Sequence, residues 1–173
     1  MTAIAALLHP RGVVVGADTC ITLPNQLARD SSKIARRGYA IVGAAGDGRL
    51  CELALSVPCR EYRRGDLGNW LRCCLVPALW AAAKAKPTDD LAVVVLAATS
   101  REIAIVDSGG AIALPLVPEY AAIGSGAEYI LGALSATRDG AVPARRRLDD
   151  ALTIAAAYAP GVAAPWTWLE CRR

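Results

Sequence analysis

The sequence predicts an α+β fold, with packed sheets that carry their helices on the outside. Apolar, β-leaning runs and helical stretches come in separate blocks: strands, two helices, strands, two helices and a closing strand. Segregated blocks argue for layered sheets with external helices, whereas a doubly wound parallel sheet needs strand and helix to alternate. With 173 residues, 54% apolar and 20% charged, the chain is long enough to bury a core and too apolar for disorder. No repeat, linker or low-complexity tail divides it, so one domain over residues 1–173 is expected.

Residues 2–8 and 12–18 are apolar and β-leaning, and His9-Pro10-Arg11-Gly12 between them has turn chemistry. A turn centred between Pro10 and Arg11 makes Thr2 face Thr19 and Asp18 face Ala3. A third strand is expected over residues 39–44, running into Gly46-Asp47-Gly48. Leu50, Leu53, Ala54 and Val57 then recur at helical spacing. A longer helix is predicted over residues 66–85, kinked or split at Pro77, and Pro87-Thr88-Asp89-Asp90 breaks the pattern. Strands are predicted at 91–98 and 102–106, and Ser108-Gly109-Gly110 turns into another at 111–116. Ile123-Gly124-Ser125-Gly126 leads into a helix over 127–137. Residues 146–158 read as the last helix, with Asp149 and Asp150 in its first turn, and 166–171 as a short final strand.

Composition narrows the function classes. The net charge of +3 is too small to imply nucleic acid, and Arg145-Arg146-Arg147, followed by Asp149 and Asp150, reads as a solvated helix start. The six cysteines form no C-x-x-C pair and His9 is the single histidine, so neither a metal nor any other cofactor is expected. Reduced thiols and a cytoplasmic location follow as the default. No apolar run approaches the roughly 20 residues of a membrane helix. The opening MTAIAALLHP lacks a basic n-region and reads as a strand, not as a signal peptide.

The chemistry centres on Met1-Thr2. Removal of Met1 leaves Thr2 with both a hydroxyl nucleophile and a free α-amine to serve as its base. The hairpin brings Asp18 back beside this terminus. A carboxylate closing the apolar run Val13-Val14-Val15-Gly16-Ala17 either reaches solvent at the strand end or needs a partner. Lys33, in Ser31-Ser32-Lys33-Ile34, is the candidate partner, the other reading being a surface lysine. A cation there disfavours protonation of the Thr2 amine, whose ordinary pKa is about 8, and favours the ionised hydroxyl. Gly43, in Gly43-Ala44-Ala45-Gly46-Asp47, is the candidate backbone donor to an oxyanion. A plain strand-to-helix turn is the alternative reading of that segment.

These residues, in this order, resemble the N-terminal-nucleophile hydrolases of proteasome β-subunit type, including the HslV-like peptidases. The resemblance runs from Met1-Thr2 through Gly16-Ala17-Asp18, Ser32-Lys33-Ile34 and Gly43-Ala44-Ala45-Gly46-Asp47 to Ala122-Ile123-Gly124-Ser125-Gly126. It implies a four-layer α-β-β-α sandwich and a threonine endopeptidase acting on peptides or unfolded proteins. By the same resemblance Thr2 is nucleophile and base, Asp18 and Lys33 activate it, Gly43 donates to the oxyanion and Ser125 supports the Thr2 amine. A closed homo-oligomeric ring and an ATPase unfoldase partner are also implied. The late loop, residues 158–164, has neither the Asp nor the Ser usual in proteasome β-subunits.

Two other functions fit the same scaffold: a catalytically silent structural or gating ring subunit, and a small-molecule amidase. Trp70, Leu71, Leu75, Leu79 and Trp80 give the long helix more apolar surface than one face needs, which favours self-association. The substrate pocket is expected to be lined by Ile21, Ile41, Ala45 and Arg49. Ile41 shares a strand face with Gly43, and Ala45 and Arg49 are four apart at a helix start. Apolar walls with Arg49 at the rim predict cleavage after apolar residues, then acidic ones, with basic ones disfavoured.

Overall fold

A computed structural model describes residues 1–23, 26–29, 32–84, 92–107 and 109–173. The predicted breaker at 87–90, the first residue of the strand at 91, the last of the long helix at 85 and Ser108 of the predicted turn lie outside the described residues. Along the chain the elements are β1 (Ile4–His9), β2 (Gly12–Asp18), β3 (Cys20–Leu23), β4 (Gln26–Arg29), β5 (Ile34–Arg37), β6 (Ala40–Gly46) and α1 (Gly48–Ser56). Next come α2 (Leu67–Trp70), a π-helical turn (Leu71–Leu75), α3 (Val76–Ala83), β7 (Val93–Ala98), β8 (Ile103–Val106) and β9 (Ile112–Ala113). β10 (Tyr120–Ile123), α4 (Ala127–Ala136), α5 (Ala144–Tyr158) and β11 (Trp166–Arg172) complete it.

β1 and β2 form the expected hairpin in the expected register. Ile4 pairs with Ala17, and the Asp18 N–H donates to the Ala3 carbonyl at 3.0 Å. They are the central strands of an antiparallel sheet ordered β10-β1-β2-β11. A second antiparallel sheet is ordered β5-β6-β7-β8-β9, and β3 and β4 form a separate hairpin.

Period-two alternation stacks these sheets. On β1, Ala5 and Leu7 pack under α4 and α5, while Ile4 and Ala6 face the second sheet. On β6, Ala40, Val42 and Ala44 pack under α1, α2 and α3, while Ile41 and Ala45 face the first sheet. Three apolar seams result, one between the sheets and one under each helical layer: the four-layer α-β-β-α sandwich. Gly16 is required for one close approach. It pairs with Trp168 across β2 and β11, and a Cβ there would lie 2.5 Å from the Trp168 ring and 2.9 Å from Leu152.

Several expectations need correction. The strand expected over 111–116 is paired only at Ile112–Ala113. Pro115 has no N–H to give a ladder, and Leu114 and Leu116 are exposed. β3, β4, β5 and β10 are strands beyond those the sequence pattern predicts, and each is only four residues long. The last helix begins at Ala144, so its first turn holds Arg145, Arg146 and Arg147, and Asp150 sits one turn on, 2.9 Å from Arg146. Trp70, Leu71, Leu75 and Leu79 are all buried against the second sheet, with Trp80 packed beside them, so this helix offers no spare apolar face. The chain stays helical from Leu67 to Ala83, and the π turn lies just before Pro77, whose missing N–H interrupts the hydrogen-bond ladder there. Among the described residues no helix is long and apolar enough to cross a membrane.

Leu96 on β7 is fully buried in the seam between the sheets. Leu96→Ala is expected to lower stability by about 2–5 kcal/mol in urea unfolding. Leu116→Ala, at a fully exposed side chain, should stay within about 0.5 kcal/mol of the parent.

Candidate active site

Asp18 ends β2 with its carboxylate wholly buried. Three donors satisfy it with four hydrogen bonds. The Ala3 N–H reaches Oδ1 at 2.7 Å and the Cys20 N–H reaches Oδ2 at 3.1 Å. Lys33 Nζ donates to both oxygens, each at 3.0 Å. Lys33 is itself only 7% exposed, so the pair is a desolvated one and each charge requires the other. Lys33 directly precedes β5, so this ion pair also ties the first sheet to the second.

Thr2 stands at the third corner. Its Oγ1 accepts from Lys33 Nζ at 3.3 Å and donates to the Met1 carbonyl at 2.8 Å. Lys33 Nζ also donates to that carbonyl at 2.9 Å. The Thr2 nitrogen, an amide while Met1 is attached, donates to Ser125 Oγ at 3.3 Å. The Thr2 carbonyl accepts from the Gly126 N–H at 3.2 Å and faces Ser125 Oγ at 3.3 Å. Gly124 makes that contact possible: at φ +89° it presses on the Thr2 carbonyl, where a Cβ would collide. Thr2, Asp18, Lys33 and Ser125 are therefore one cluster.

Gly43 does not join them. It sits mid-strand in β6, paired with Ile34 on one side and Leu96 on the other, and faces Ile4 in the seam between the sheets. Gly46 and Gly48 line the same cavity as Thr2. The Asp47 N–H donates to the Ala92 carbonyl at 2.7 Å, so alternation of the ladder turns the Gly46 N–H away from β7. Asp47 caps α1, accepting from the Leu50 N–H at 3.0 Å. The Gly48 N–H, first in that helix, has no intrahelical acceptor. The sequence signal was present in Gly46-Asp47-Gly48, three residues beyond the glycine expected.

Two cavities flank Thr2. One, of about 620 Å³, is lined by Thr2, Lys33, Ile21 and the α1 stripe Gly48, Cys51, Glu52, Leu55 and Ser56. The other, of about 560 Å³, is lined by Thr2, Ala45, Gly46, Ile123 and Ser125. Ile21 and Ala45 thus line cavities beside Thr2, one in each. Ile41 does not: the strand face it shares with Gly43 is the fully buried seam. Arg49 does not either, because it is exposed off the α1 stripe that faces the cavity. The helix presents Glu52 instead, which replaces a cation at the rim with a carboxylate. The late loop contributes apolar packing, with Ala159 and Val162 buried against the start of α4. None of the six cysteines is in a disulfide, and burial pushes the Cys59 thiol up against the pull of Arg37, so it stays protonated at neutral pH.

Lys33→Met leaves the buried Asp18 charge without its partner. A loss of about 3–5 kcal/mol is expected in urea unfolding, with part of it recovered in Asp18→Asn/Lys33→Met. Parental stability in Lys33→Met would show that the pair does not hold the site.

No protein-family model and no curated protein sequence matches this chain. Solved structures do match over nearly its whole length. BPH from Thiobacillus denitrificans in complex with epoxomicin superposes with a TM-score of 0.81 at 19% identity, covering 99% of this chain and 98% of the other. BPH without that compound gives 0.79 at 20% identity, with the same coverage. Eukaryotic HslV from Trypanosoma brucei gives 0.76 at 21% identity, covering 99% of this chain and 100% of the other. The chain has the α+β sandwich fold of HslV and proteasome-type N-terminal-nucleophile hydrolases.

Proposed function

We propose that this protein is a threonine peptidase that hydrolyses peptide bonds through Thr2 once Met1 has been removed. The observation that carries this reading is the position of Lys33 Nζ, held by Asp18 and in contact with Thr2 Oγ1 at 3.3 Å. Removal of Met1 would do two things at once. It would turn the Thr2 nitrogen into an amine, and it would take away the carbonyl that now accepts from Oγ1. The amine then accepts the Oγ1 proton, and Oγ1 attacks the substrate carbonyl carbon. The resulting oxyanion is met by the Gly46 and Gly48 N–H groups at the start of α1. Collapse breaks the C–N bond, and the leaving amine takes the proton held by the Thr2 amine. Water, deprotonated by the same amine, then attacks the ester and regenerates Oγ1–H. Ser125 holds the Thr2 nitrogen in place, and the Lys33 charge stabilises the ionised hydroxyl.

Peptides or unfolded proteins are the proposed substrates, and a homo-oligomeric ring served by an ATPase unfoldase the proposed setting. Support for self-association comes from α4 and α5, where Tyr129 and Tyr158 stack at 5.8 Å beside exposed Ile154. A second reading, a catalytically silent ring subunit, is favoured by the apolar late loop, which gives the Thr2 nitrogen no further polar partner.

Intact-mass measurement and turnover of fluorogenic peptides test this. The active protein is expected to lack Met1, and Thr2→Ala to lose hydrolysis while keeping its fold and assembly. A chain that cleaves with Met1 retained, or at the parental rate without the Thr2 hydroxyl, would refute the assignment.

Substrate preference follows from the larger cavity. Among the described residues its charged side chains are Lys33, already paired with Asp18, and Glu52. The expected peptide-library profile is therefore led by Lys or Arg at the cleaved position, the reverse of a rim that carried Arg49. Glu52→Gln should lower kcat/KM for such peptides by about fivefold, the worth of an exposed charge pair, and leave apolar peptides unaffected.

A further inference from the structure

β1 begins beside Thr2 and ends at His9, at the opposite end of the sandwich. A cavity of about 600 Å³ opens there between the β1–β2 turn, the end of β11 and the first turn of α5. Arg11, Arg145, Arg147 and Arg172 line it, against one acid, Glu170. Glu170 is engaged by Arg145 at 3.6 Å. Arg147 is fixed by the Leu134 carbonyl at 2.8 Å and Thr137 Oγ1 at 3.2 Å. Arg145 is held over the Trp168 ring at 3.7 Å. Arg11 and Arg172 are exposed, and their guanidinium groups have no acceptor among the described residues. A neighbouring recess shares Arg172 and adds Arg64, Arg101 and Arg173. Its one acid, Glu102, accepts from the Leu67 N–H at 3.2 Å.

The chain's net charge of +3 hides this concentration. Like charges lining a recess with low-dielectric walls focus a positive potential in it. Two of the guanidinium groups are pinned by the protein and two are free, so part of the recess is preorganised and part can close on a ligand. Val142 and Pro143 supply an apolar wall.

We propose that this cavity binds a compact oligophosphate, either free or as the phosphate chain of a nucleotide. Planar guanidinium forks pair with two phosphate oxygens at a time, and several forks around one recess match a chain of phosphates better than a single carboxylate. The apolar wall leaves a place for a nucleoside. The site uses no residue of the Thr2 cluster.

Calorimetric titration of the assembled protein with inorganic triphosphate, and separately with ATP, tests the proposal. Saturable binding of one ligand per chain is expected, weakening as salt rises. Arg11→Ala/Arg172→Ala should lose at least about tenfold in affinity, while Arg72→Ala, exposed on the π turn of the other helical layer, keeps it. Tighter binding of ATP identifies a nucleotide as the source, and equal binding a free oligophosphate; either supports the site. The Trp168 indole signal of the unaltered protein should shift on binding, which locates the ligand without any variant. No binding of either compound at millimolar concentration, an unmoved Trp168 signal, or full affinity in the double variant would overturn the proposal.

Discussion

The buried pair of Asp18 and Lys33 is the constraint on which the rest of the site depends. An ionised carboxylate at the end of a wholly buried strand is tolerated only when its oxygens are saturated. Two backbone N–H groups and one ammonium do this here. Each donor fixes a piece of chain: Ala3 fixes the start of β1, Cys20 the exit from β2 and Lys33 the approach to β5. Thr2 is positioned because its neighbours on both sides are already committed to Asp18. The pair also spans the two sheets, so sliding one sheet over the other would separate two charges that are almost wholly buried.

The sandwich supplies the rigidity that such a pair needs. β1, β2 and β6, which run through the site, are buried on both faces over most of their length. Beside the first residues of the chain, Gly43 and Gly124 let neighbouring parts meet more closely than a side chain would. Gly43 accepts Ile4 across the seam, and Gly124 accepts the Thr2 carbonyl. Both contacts hold the first residues of the chain, one from below and one from the side.

The sequence made the first hairpin legible because its period-two pattern and turn chemistry are local. Its register followed from the turn, and the register alone brought Asp18 to Ala3. The Lys33 partnership was legible from charge balance, since a carboxylate closing an apolar strand has few options. Four short strands were not legible. Each is four residues long and too short to show a sustained period, and β10 in addition pairs with β1 at the far end of the chain. The cavity was only half legible for the same reason. Ile21 and Ala45 reach the two cavities, but assigning Ile41 and Arg49 required knowing which strand face meets the other sheet and where α1 points after Gly46. One glycine of conformational freedom at that corner, φ +135°, rotates the helix so that Glu52 takes the place expected of Arg49.

The approach of Trp168 to Gly16 reaches further than the sheet it belongs to. Gly16, Trp168 and Arg145 form a pile that runs from a buried strand to the surface. The indole can lie over β2 only because Gly16 has no side chain, and the guanidinium rests on the indole. A core position with no side chain thereby decides where a positive charge stands outside. Substitutions at Gly16 and at the arginines of that end are consequently not independent, and their effects will not add. A side chain at position 16 would displace the indole, and with it the Arg145 charge that rests on the ring.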